Sequence, residues 1–512
     1  MLRKLRIFAA ALFFIGITLM VLDITGTLHH WLSWMAKVQL VPAILALNVI
    51  IVAVLLVLTL VMGRIYCSVI CPLGIYQDVV WWIRRKVSKP KYKREAKGQH
   101  YARTALRLAF LVIFVLLIAI GLTGIASMIA PYSSYARMVE TLLQPLYILV
   151  NNGLAAIAEK VDSYAFYPAE VWLRSGITLA VTLVLWLIVT TLAAMGGRRY
   201  CNTVCPVGTV LGFLSRYSWL KPYISEEKCI SCGRCERQCK AHAIDIKNLK
   251  IDYSLCVDCF DCLNECRSNA MLFGHPRANK SKSSLTGSAS SAKDIDKSKR
   301  AFMLASLTVG ATAAMAQAEK KVDGGFAVIE EKAIPERKTP ILPPGALSAQ
   351  HLAQHCTTCQ LCVSECPNGV LRPSSDLQHF MQPVMSYERG YCSVDCHRCS
   401  DVCPTGAIHL ADTAEKVSMK IGEAHWVQKN CVNITDGVSC DNCSRHCPSG
   451  AIEMIPLKVA PKDQAENPEE HPTMIPAVDT TLCIGCGACE NLCPARPLAA
   501  IIVEGVEHQH TI

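Results

Sequence analysis

The 28 cysteines of this 512-residue chain fall into seven groups of four, with none left over. Six groups follow or closely vary the pattern Cys-x2-Cys-x2-Cys-x3-Cys, and the seventh is divided between two separate Cys-x3-Cys-Pro runs. Thiolates at the first spacing bind the corners of a cubane iron–sulfur cluster. The six quartets therefore predict six [4Fe–4S] clusters, and a chain with so many one-electron sites is most simply interpreted as an electron conductor.

Disulfides and zinc are the two other uses of a cysteine-rich sequence. Disulfides do not explain a fixed spacing that is repeated along the chain. Zinc usually takes two separated Cys pairs or mixtures of Cys and His. The fourth cysteine of a group is often followed by Pro, as in bacterial ferredoxins, and this favours iron–sulfur clusters.

Apolar residues are concentrated in the first 200 positions, where four uncharged stretches reach or approach the about 20 residues of a spanning helix. The stretches are Ile7–Leu22, Val41–Met62, Leu108–Ile129 and Ile177–Met195. The first is short, but Arg6 and Asp23 at its ends can reach the membrane interfaces. A signal peptide is the alternative there, and we disfavour it because no convincing small-residue cleavage site follows.

Loop charges predict the orientation of these helices. Residues 63–107 carry 11 Lys and Arg, and the N-terminus is also basic, whereas the loop at 23–40 carries only Lys37. Positive segments stay in the cytoplasm, so the loops at 23–40 and 130–176 are predicted to face the exterior. The net charge of +10 mostly reports this topology, and no nucleic-acid partner is inferred from it.

An internal repeat relates the two Cys-x3-Cys-Pro runs, because residues 63–74 match residues 197–208. Two helix pairs related by an axis along the membrane normal would bring both runs together on the cytoplasmic side. The four thiols are those of Cys67, Cys71, Cys201 and Cys205. They are candidates for a further metal centre or a redox disulfide, and a structural turn with buried thiols is the alternative.

The middle of the chain contains two complete cysteine groups, as in a two-cluster ferredoxin. In such domains the fourth Cys of each run binds the other cluster. One predicted ligand set is Cys229, Cys232, Cys235 and Cys266, and the other is Cys256, Cys259, Cys262 and Cys239. Lys240 and Arg267 stand where Pro usually follows the fourth Cys, and Ala243–Ile246 is predicted to be a short strand.

A segment rich in Ser, Lys and Gly follows at 276–300 and predicts a flexible linker. Next come Lys299 and Arg300, an apolar run over 301–316, and small residues at its end. The pattern is similar to a twin-arginine export signal. We interpret it as a degenerate signal that anchors the chain, with cleavage near Ala316 or Ala318, or a surface helix, as alternatives.

Four more cysteine groups occupy the C-terminal part, two of them with a widened first gap. They are Cys356, Cys359, Cys362 and Cys366; Cys392, Cys396, Cys399 and Cys403; Cys431, Cys440, Cys443 and Cys447; and Cys483, Cys486, Cys489 and Cys493. The predicted division is a membrane module at 1–220, a two-cluster domain at 221–275, a linker at 276–320 and a four-cluster domain at 321–512. The predicted fold class is an α-helical membrane module of four transmembrane helices, with a candidate fifth at 301–316, followed by α+β ferredoxin-like iron–sulfur domains.

This order of parts resembles a known pair of proteins. Residues 1–275 look like the NapH-type membrane ferredoxin of periplasmic nitrate reductase systems. Residues 298–500 look like its NapG-type polyferredoxin partner, on the export-like signal, the Leu342–Ala346 lead-in and the group that ends at Cys447-Pro448. The chain thus resembles a natural fusion of the two. The resemblance implies that groups one and four of the C-terminal domain exchange their last cysteines, as do groups two and three.

The same resemblance implies a component of a quinol dehydrogenase in the inner membrane, with the two-cluster domain cytoplasmic and the four-cluster domain periplasmic. Electrons would pass from the membrane quinone pool, with quinone as substrate, to a periplasmic reductase or cytochrome. Two alternatives remain: an accessory reductase that matures another enzyme's metal centre, because the membrane module also resembles such proteins, and a redox-sensing scaffold.

No catalytic residue is assigned by the sequence. Asp23, His29 and His30 are candidate proton acceptors in the first exterior loop. A solvated loop or an interface anchor beside Trp31 and Trp34 is the alternative, and we favour it. No flavin, nicotinamide or haem motif is evident.

Overall fold

The computed structural model describes residues 2–23, 27–87, 97–160, 162, 175–275, 330–410, 412–457 and 473–512. The predicted linker, the candidate fifth crossing at 301–316 and the possible cleavage sites lie outside the described residues.

The described part of the first 217 residues is almost entirely helical. The helices are α1 (Leu2–Leu22), α2 (Thr27–Lys37), α3 (Leu40–Leu45), α4 (Val49–Met62), α5 (Ile65–Val69), α6 (Pro72–Val87), α7 (Lys97–Ala119), α8 (Thr123–Ala126), α9 (Pro131–Met138), a π-helical turn (Val139–Leu143), α10 (Gln144–Glu159), α11 (Gly176–Gly196), α12 (Arg199–Thr203), α13 (Pro206–Leu214) and a 3-10 turn (Ser215–Tyr217). Each Cys-x3-Cys-Pro run forms a short helix, α5 or α12, followed by a helix that begins at the Pro. Pro suits that first position because its missing N–H has no intrahelical partner there.

Among the described residues, three helices are long and apolar enough to cross a membrane, namely Leu2–Leu22, Pro131–Glu159 and Gly176–Gly196. The first and the third coincide with two of the four predicted stretches. In the other two predicted stretches the helix is interrupted, and α4 itself has only 14 residues. The presence of four spanning helices therefore stays a prediction.

The interruptions have local causes. Before α4, Leu47 has a φ of 52°, and Asn48 caps the new helix by accepting a hydrogen bond from the backbone of Ile51 at 3.2 Å. After α7, Gly121 has a φ of 87°, a left-handed conformation that ends the helix at no steric cost. Both stretches are continuously apolar in sequence, so their hydropathy does not show where the helix is interrupted.

The helix Pro131–Glu159 was missed, because the sequence predicted an exterior loop over 130–176. Arg137 and Glu140 interrupt its apolar run and argue against a spanning helix. In the structure both side chains are buried, Arg137 at 1% exposure and Glu140 at 8%. A search for uncharged stretches does not find this helix, because it rejects charged residues even when other parts of the protein bury them.

The two-cluster domain consists of short elements. Its strands are β1 (Lys221–Ile224), β2 (Ile244–Asp245), β3 (Lys250–Ile251) and β4 (Met271–Gly274), and its helices are α14 (Arg234–Gln238) and α15 (Asp261–Glu265). β1 pairs with β4 and β2 pairs with β3, both antiparallel. β2 lies inside the predicted strand Ala243–Ile246.

The four-cluster domain is built on three antiparallel strand pairs. Its strands are β5 (Leu371–Pro373), β6 (Pro383–Met385), β7 (Met419–Trp426), β8 (Ile452–Pro456), β9 (Met474–Val478) and β10 (Ile501–Thr511). The pairs are β5 with β6, β7 with β10 and β8 with β9. Its apolar core lies on the buried sides of these strands. Its α-helices are short and contain the third cysteine of each group, namely Cys362, Cys399, Cys443 and Cys489; they are Ala349–His355, Leu361–Ser364, Arg398–Asp401, Thr413–Ser418, Val432–Thr435, Asn442–Arg445 and Ala488–Asn491.

The two iron–sulfur domains contact opposite ends of the helical module. At the end where α1 begins, Arg3 forms an ion pair with Asp261 of the two-cluster domain at 2.8 Å. At the end that includes α8, the hydroxyl of Thr123 donates to the carbonyl oxygen of Ala353 in the four-cluster domain at 2.7 Å. We call these the Arg3 end and the Thr123 end.

Candidate electron-transfer centres

The cysteines of the two-cluster domain surround two separate cavities. We name these sets quartet I (Cys229, Cys232, Cys235 and Cys266) and quartet II (Cys239, Cys256, Cys259 and Cys262). Each set takes three cysteines from one run and the last cysteine of the other run. This is the grouping that the sequence predicted, and it places the two cavities side by side because α14 and α15 each lead from one to the other.

The cysteines of the four-cluster domain are brought together differently from the prediction. The four sets are quartet III (Cys356, Cys359, Cys362 and Cys403), quartet IV (Cys366, Cys392, Cys396 and Cys399), quartet V (Cys447, Cys483, Cys486 and Cys489) and quartet VI (Cys431, Cys440, Cys443 and Cys493). Groups one and two exchange their last cysteines, as do groups three and four. The exchange implied between groups one and four, and between groups two and three, is wrong.

The local fold explains this pairing. β5 and β6 form a hairpin between groups one and two, and β8 and β9 form one between groups three and four. Each hairpin returns the chain beside the group it has just left, so sequence neighbours interlock. Two groups far apart in sequence carry no such signal, and the spacing alone could not decide between the alternatives.

The four quartets of this domain follow one another in the order III, IV, V, VI. Quartets III and IV are linked by the exchange of Cys366 and Cys403, and quartets V and VI by that of Cys447 and Cys493. Quartets IV and V meet where the backbone N–H of Cys392 donates to the carbonyl oxygen of Cys486 at 3.0 Å. The domain therefore offers a single file of sites.

The quartets fit polynuclear clusters better than single ions. Within the described ranges, no three Cys, His, Asp or Glu side chains converge closely enough to hold one metal ion. Burial, and then the nearby thiols of Cys359, Cys356 and Cys403, raise the pKa of Cys362 well above its usual value. Four ionised thiolates in such a place need a positive core, and the iron atoms of a cubane cluster supply one at each corner.

The remaining four cysteines meet at the Arg3 end. We call Cys67, Cys71, Cys201 and Cys205 the split quartet; each is 3% exposed, and none forms a disulfide. The two repeats cross over, because Arg198 donates to the carbonyl oxygen of Cys67 at 2.5 Å and Arg64 donates to that of Cys201 at 3.4 Å. The structure thus brings together the thiols that the repeat predicted to meet.

A carboxylate organises the charges beside the split quartet. Asp78 of α6 lies 2.7 Å from Arg198, 2.5 Å from Arg6 and 2.7 Å from Lys240 of the two-cluster domain. Burial alone would raise the pKa of Asp78, but these three cations hold it well below its usual range. Lys240, which replaces the usual Pro, thereby ties the two-cluster domain to the helices.

At the Thr123 end the contacts are mostly neutral. The hydroxyl groups of Ser127 and Thr358 are hydrogen bonded to each other, and the backbone N–H of Thr358 donates to the sulfur of Cys356 at 3.3 Å. Arg137, which is fully buried, donates to the carbonyl oxygen of Ser127 at 2.8 Å and to the sulfur of Met381 at 3.0 Å. Quartet III is therefore the one that adjoins the helices.

Two buried polar side chains face each other at this same end. Nδ1 of His29 lies 3.8 Å from Oε1 of Glu365, too far for a hydrogen bond. Both ring nitrogens of His29 and both carboxyl oxygens of Glu365 lack a hydrogen-bond partner within the described structure. Burial lowers the pKa of His29 to about 4 and raises that of Glu365 to about 7. The favoured interpretation of this segment was a solvated loop or an interface anchor. The solvated loop is wrong for His29, which is buried on α2, and the interface anchor stays a prediction.

The other predicted proton acceptor with a described side chain is Asp23. Its carboxylate accepts from the backbone N–H groups of Leu28 and His29 at 2.7 and 3.3 Å, so it helps to start α2. The side chain of His30 lies outside the described part of the structure. Trp31 is 75% exposed and Trp34 48%, as expected of residues at a membrane interface.

Sequence reasoning did not single out Arg64, Asp78, Arg137 or Glu365, which the structure places beside the quartets or facing His29. A signal existed for Arg64, because Gly-Arg-x-Tyr-Cys occurs in both repeats and includes Arg198. No sequence signal existed for Asp78, because its partners come from three distant segments. None existed for Glu365 either, because only the folded structure places it opposite His29.

Similarity to known proteins agrees with these sites. Over 199 residues, or 35% of this chain, it is 32% identical to the methylamine utilization ferredoxin-type protein MauM of Paracoccus denitrificans, of which it covers 81%. The chain belongs to the ferredoxin-type protein family. It also matches, at 26% identity over 31% of its length, the ferredoxin-type protein NapF of Escherichia coli, of which 84% is covered. An uncharacterised protein of Methanocaldococcus jannaschii matches over 270 residues at 25% identity, 52% of this chain and 86% of that protein.

Family models mark the cluster-binding parts of this ferredoxin-type chain. A 4Fe-4S binding domain matches residues 44–90 and 178–224, another matches residues 222–245, and a 4Fe-4S dicluster domain matches residues 355–407 and 438–496. The first dicluster match covers groups one and two, and the second covers group four and the last three cysteines of group three. No solved structure matches the chain. The chain is therefore an iron–sulfur electron-transfer protein that binds several [4Fe–4S] clusters.

Proposed function

We propose that this ferredoxin-type protein spans the cytoplasmic membrane, takes electrons from quinol, and passes them to an acceptor outside the cytoplasm. The observation that carries this proposal is the file of quartets III to VI, which begins against the Thr123 end of the apolar helices and leads away from it. The full set is six [4Fe–4S] clusters, held by quartets I to VI, and each supplies a one-electron carrier when bound.

The protein's own side chains fit the entry of electrons at the Thr123 end. Quinol oxidation releases protons, so a buried acceptor is needed beside the first electron site. His29 is held neutral by burial and its ring nitrogens have no partner in the described structure, which leaves it able to accept a proton. Glu365 faces it at 3.8 Å, and quartet III lies on the same contact surface.

The exposed apolar residues of this end support a lipid-soluble donor. Trp31, Trp34 and Leu28 of α2 are exposed and flank His29 in sequence. An amphipathic helix of this kind lies at a membrane interface, where quinol head groups are found. The proposed acceptor is a soluble reductase or cytochrome that docks on the four-cluster domain.

Sidedness follows from the same proposal. The basic N-terminus and the loop at 63–107 keep the Arg3 end, with the two-cluster domain, in the cytoplasm. The four-cluster domain contacts the other end and would lie outside. External protease should then digest the four-cluster domain in intact spheroplasts, whereas protection of that domain would contradict this orientation.

The direct test is anaerobic reduction by a menaquinol analogue of the full-length protein in proteoliposomes, followed by cluster absorbance and electron paramagnetic resonance (EPR). Wild-type clusters should be reduced by the analogue, and His29→Phe should slow the reduction at least tenfold while dithionite still reduces every cluster. Clusters that dithionite reduces and quinol leaves oxidised would contradict the proposal, and would favour the role of an accessory reductase with another donor.

A further inference from the structure

Each Cys-x3-Cys-Pro repeat supplies two thiols, which is too few for a cubane cluster, and the structure completes the set by joining the repeats. The sulfurs receive N–H donors from both halves: the side-chain amide of Gln77 reaches Cys201 at 3.2 Å, and the backbone of Gly208 reaches Cys205 at 3.3 Å. Hydrogen bonds to sulfur stabilise negative charge on it, as around protein-bound iron–sulfur clusters.

The charge of Arg64 points to an anion at this site. Its side chain is fully buried, and its guanidinium donates to Asn202 at 2.8 Å, to the carbonyl oxygen of Ser254 at 2.9 Å and to the sulfur of Cys67 at 3.8 Å. Within the described structure Nε has no partner, and no carboxylate accepts from the guanidinium. The nearby carboxylate of Asp258 accepts from the backbone N–H of Arg64 and not from its guanidinium. A buried guanidinium that no carboxylate binds is unfavourable, so a further negative group belongs beside it.

Protein-bound [4Fe–4S] clusters with four thiolates satisfy that requirement, and four neutral thiols do not. The equivalent arginine of the second repeat, Arg198, is paired with Asp78, but Arg6 and Lys240 share that carboxylate. Buried positive charge therefore exceeds negative charge beside the split quartet, even when Asp258 next to Arg64 is counted. Gly74 and Gly208 let both guanidinium groups approach, because a Cβ would lie 2.4 Å from Arg198 at Gly74 and 2.8 Å from Arg64 at Gly208.

The split quartet is in contact with the two-cluster domain. The carboxylate of Asp258 accepts from the backbone N–H of Arg64 at 2.8 Å, and its other oxygen lies 3.7 Å from the sulfur of Cys256 in quartet II. Asn202, next to Cys201, donates to the carbonyl oxygen of Leu255, next to Cys256, at 3.3 Å. Quartet II and the split quartet thus share two direct chains of hydrogen bonds.

A second route leads to the other end, because the loops of the Thr123 end reach deep into the module. Tyr200, next to Cys201, donates to the carbonyl oxygen of Ile129 at 2.9 Å. Two residues earlier, Ser127 is hydrogen bonded to Thr358, whose backbone donates to Cys356 of quartet III. One buried apolar cluster includes Cys67, Cys71 and Cys205 together with Cys259 of quartet II and Cys359 of quartet III.

The first repeat has the corresponding contact. The hydroxyl of Tyr66, next to Cys67, accepts from the backbone of Leu40 at 3.1 Å and donates to Gln39 at 2.9 Å. Gln39 in turn donates to the carbonyl oxygen of Ile70, next to Cys71, at 3.3 Å. The interrupted helices that precede α4 and follow α7 are what allow these loops to come so close to the split quartet.

We propose that Cys67, Cys71, Cys201 and Cys205 hold one further [4Fe–4S] cluster, and that this site relays single electrons between the two-cluster domain and the four-cluster domain. Each transfer oxidises one site and reduces the next, with no bond made or broken. The chain then connects a reductant at the Arg3 end to an oxidant at the Thr123 end without quinol. This inference rests on the iron–sulfur part of the proposed function and not on its quinol donor.

The first test is the metal content of the full-length protein purified anaerobically. The double variant Cys67→Ser, Cys201→Ser should contain about four iron atoms and four sulfides fewer than wild type, the content of one cubane. Cys440→Ser is the matched control, because it should lose the same amount from quartet VI. Equal iron and sulfide in wild type and the double variant would overturn the proposal.

The second test follows electrons across synthetic phospholipid vesicles that contain no quinone. A reduced soluble ferredoxin is added outside and ferricyanide is enclosed. Wild type and Cys440→Ser should transfer electrons, and the double variant should fall to the rate of empty vesicles. Transfer by the double variant at the wild-type rate would overturn the relay, and absence of quinol oxidation in wild type would not affect it.

A milder variant tests the same assignment if the double variant does not fold. Gln77→Leu removes the donor to Cys201, and Leu211 occupies the equivalent position in the second repeat, so the residue suits the fold. Its iron content should equal that of wild type, while the EPR signal of one cluster shifts. An unchanged spectrum would overturn the assignment.

Discussion

The two iron–sulfur domains are attached to the helices by opposite kinds of contact. At the Arg3 end ion pairs join the two parts, beside hydrogen bonds such as that of Asn202 to Leu255. Lys240 of the two-cluster domain joins Arg6 and Arg198 on Asp78, and Asp261 of that domain binds Arg3. At the Thr123 end it consists of hydroxyl, carbonyl and thioether groups around Arg137. The first contact includes buried opposite charges, and the second depends on hydrogen bonds to uncharged acceptors, with Arg137 among the donors, and on apolar packing.

The two attachments are therefore sensitive to different substitutions. Removing one member of a buried ionic network leaves its partners charged and unpaired, which is severely destabilising. Removing one hydrogen bond to an uncharged acceptor leaves that acceptor unpaired, and this lowers the stability of the contact much less. The two-cluster domain should therefore be lost in an all-or-none way, and the four-cluster domain should loosen by degrees.

The largest effect is expected for Asp78→Asn, which leaves Arg6 and Arg198 without their carboxylate and Lys240 with Asp261 alone. We expect a loss of about 3–5 kcal/mol in the stability of the domain contact, because breaking a buried pair has that magnitude. The measurement is the temperature at which cluster absorbance is lost, together with tryptic release of residues 221–275. The control is Arg3→Gln, whose side chain is 40% exposed and which should change stability by about 0–1 kcal/mol. Equal effects of both substitutions would refute the distinction.

A smaller effect is expected for Arg137→Leu at the other contact. It removes hydrogen bonds to Ser127 and Met381, and we expect a loss of about 1–3 kcal/mol. It also removes a cation beside quartet III, so the reduction potential of that site should fall, because reduction adds negative charge. An EPR redox titration measures this, with the exposed Arg216→Leu as control. A raised or unchanged potential in Arg137→Leu would contradict the placement.

The smallest effect is a pH dependence from His29. Its folded pKa, about 4, lies below the ordinary 6.5, so its contribution to stability is present above pH 6.5 and is lost as the pH falls toward 4. The groups that face it are Asp23, Lys37, Asp401 and Glu365. Glu365, whose folded pKa of about 7 lies above its ordinary 4.5, contributes with the opposite sign in both proteins. The difference in melting temperature between wild type and His29→Phe should therefore shift against wild type as the pH falls from 7 to 5. The exposed His508→Phe should follow wild type, and parallel curves for all three proteins would exclude this role.

Local sequence signals predicted a site correctly where adjacent or repeated cysteine motifs form that site together. The pairing of Cys239 and Cys266 with each other's groups was predictable, since two adjacent runs have one compact way to interlock. The repeat around Cys67 and Cys201 likewise predicted that distant thiols meet. Helix ends at Gly63 and Gly197, the last residues before each repeat's arginine, recur for the same reason.

The failures arose where tertiary contacts override the local pattern. Pro131–Glu159 is helical and apolar enough to span although Arg137 and Glu140 interrupt it, because both are covered by other segments. The exchange of Cys366 with Cys403 depends on a hairpin of three-residue strands, which is too short to predict. The facing of His29 and Glu365 depends on the docking of two domains.

Iron positions measured directly would test the account best. Anomalous scattering at the iron edge, from crystals of the full-length protein grown anaerobically, locates each cluster without reference to activity. Iron is expected at quartets I and II on one side of the helices, and at quartets III, IV, V and VI in consecutive order on the other side. Zinc or disulfides at these cysteines would contradict this expectation. So would clusters bound by the four cysteines of a single sequence group, without exchange of the last cysteine.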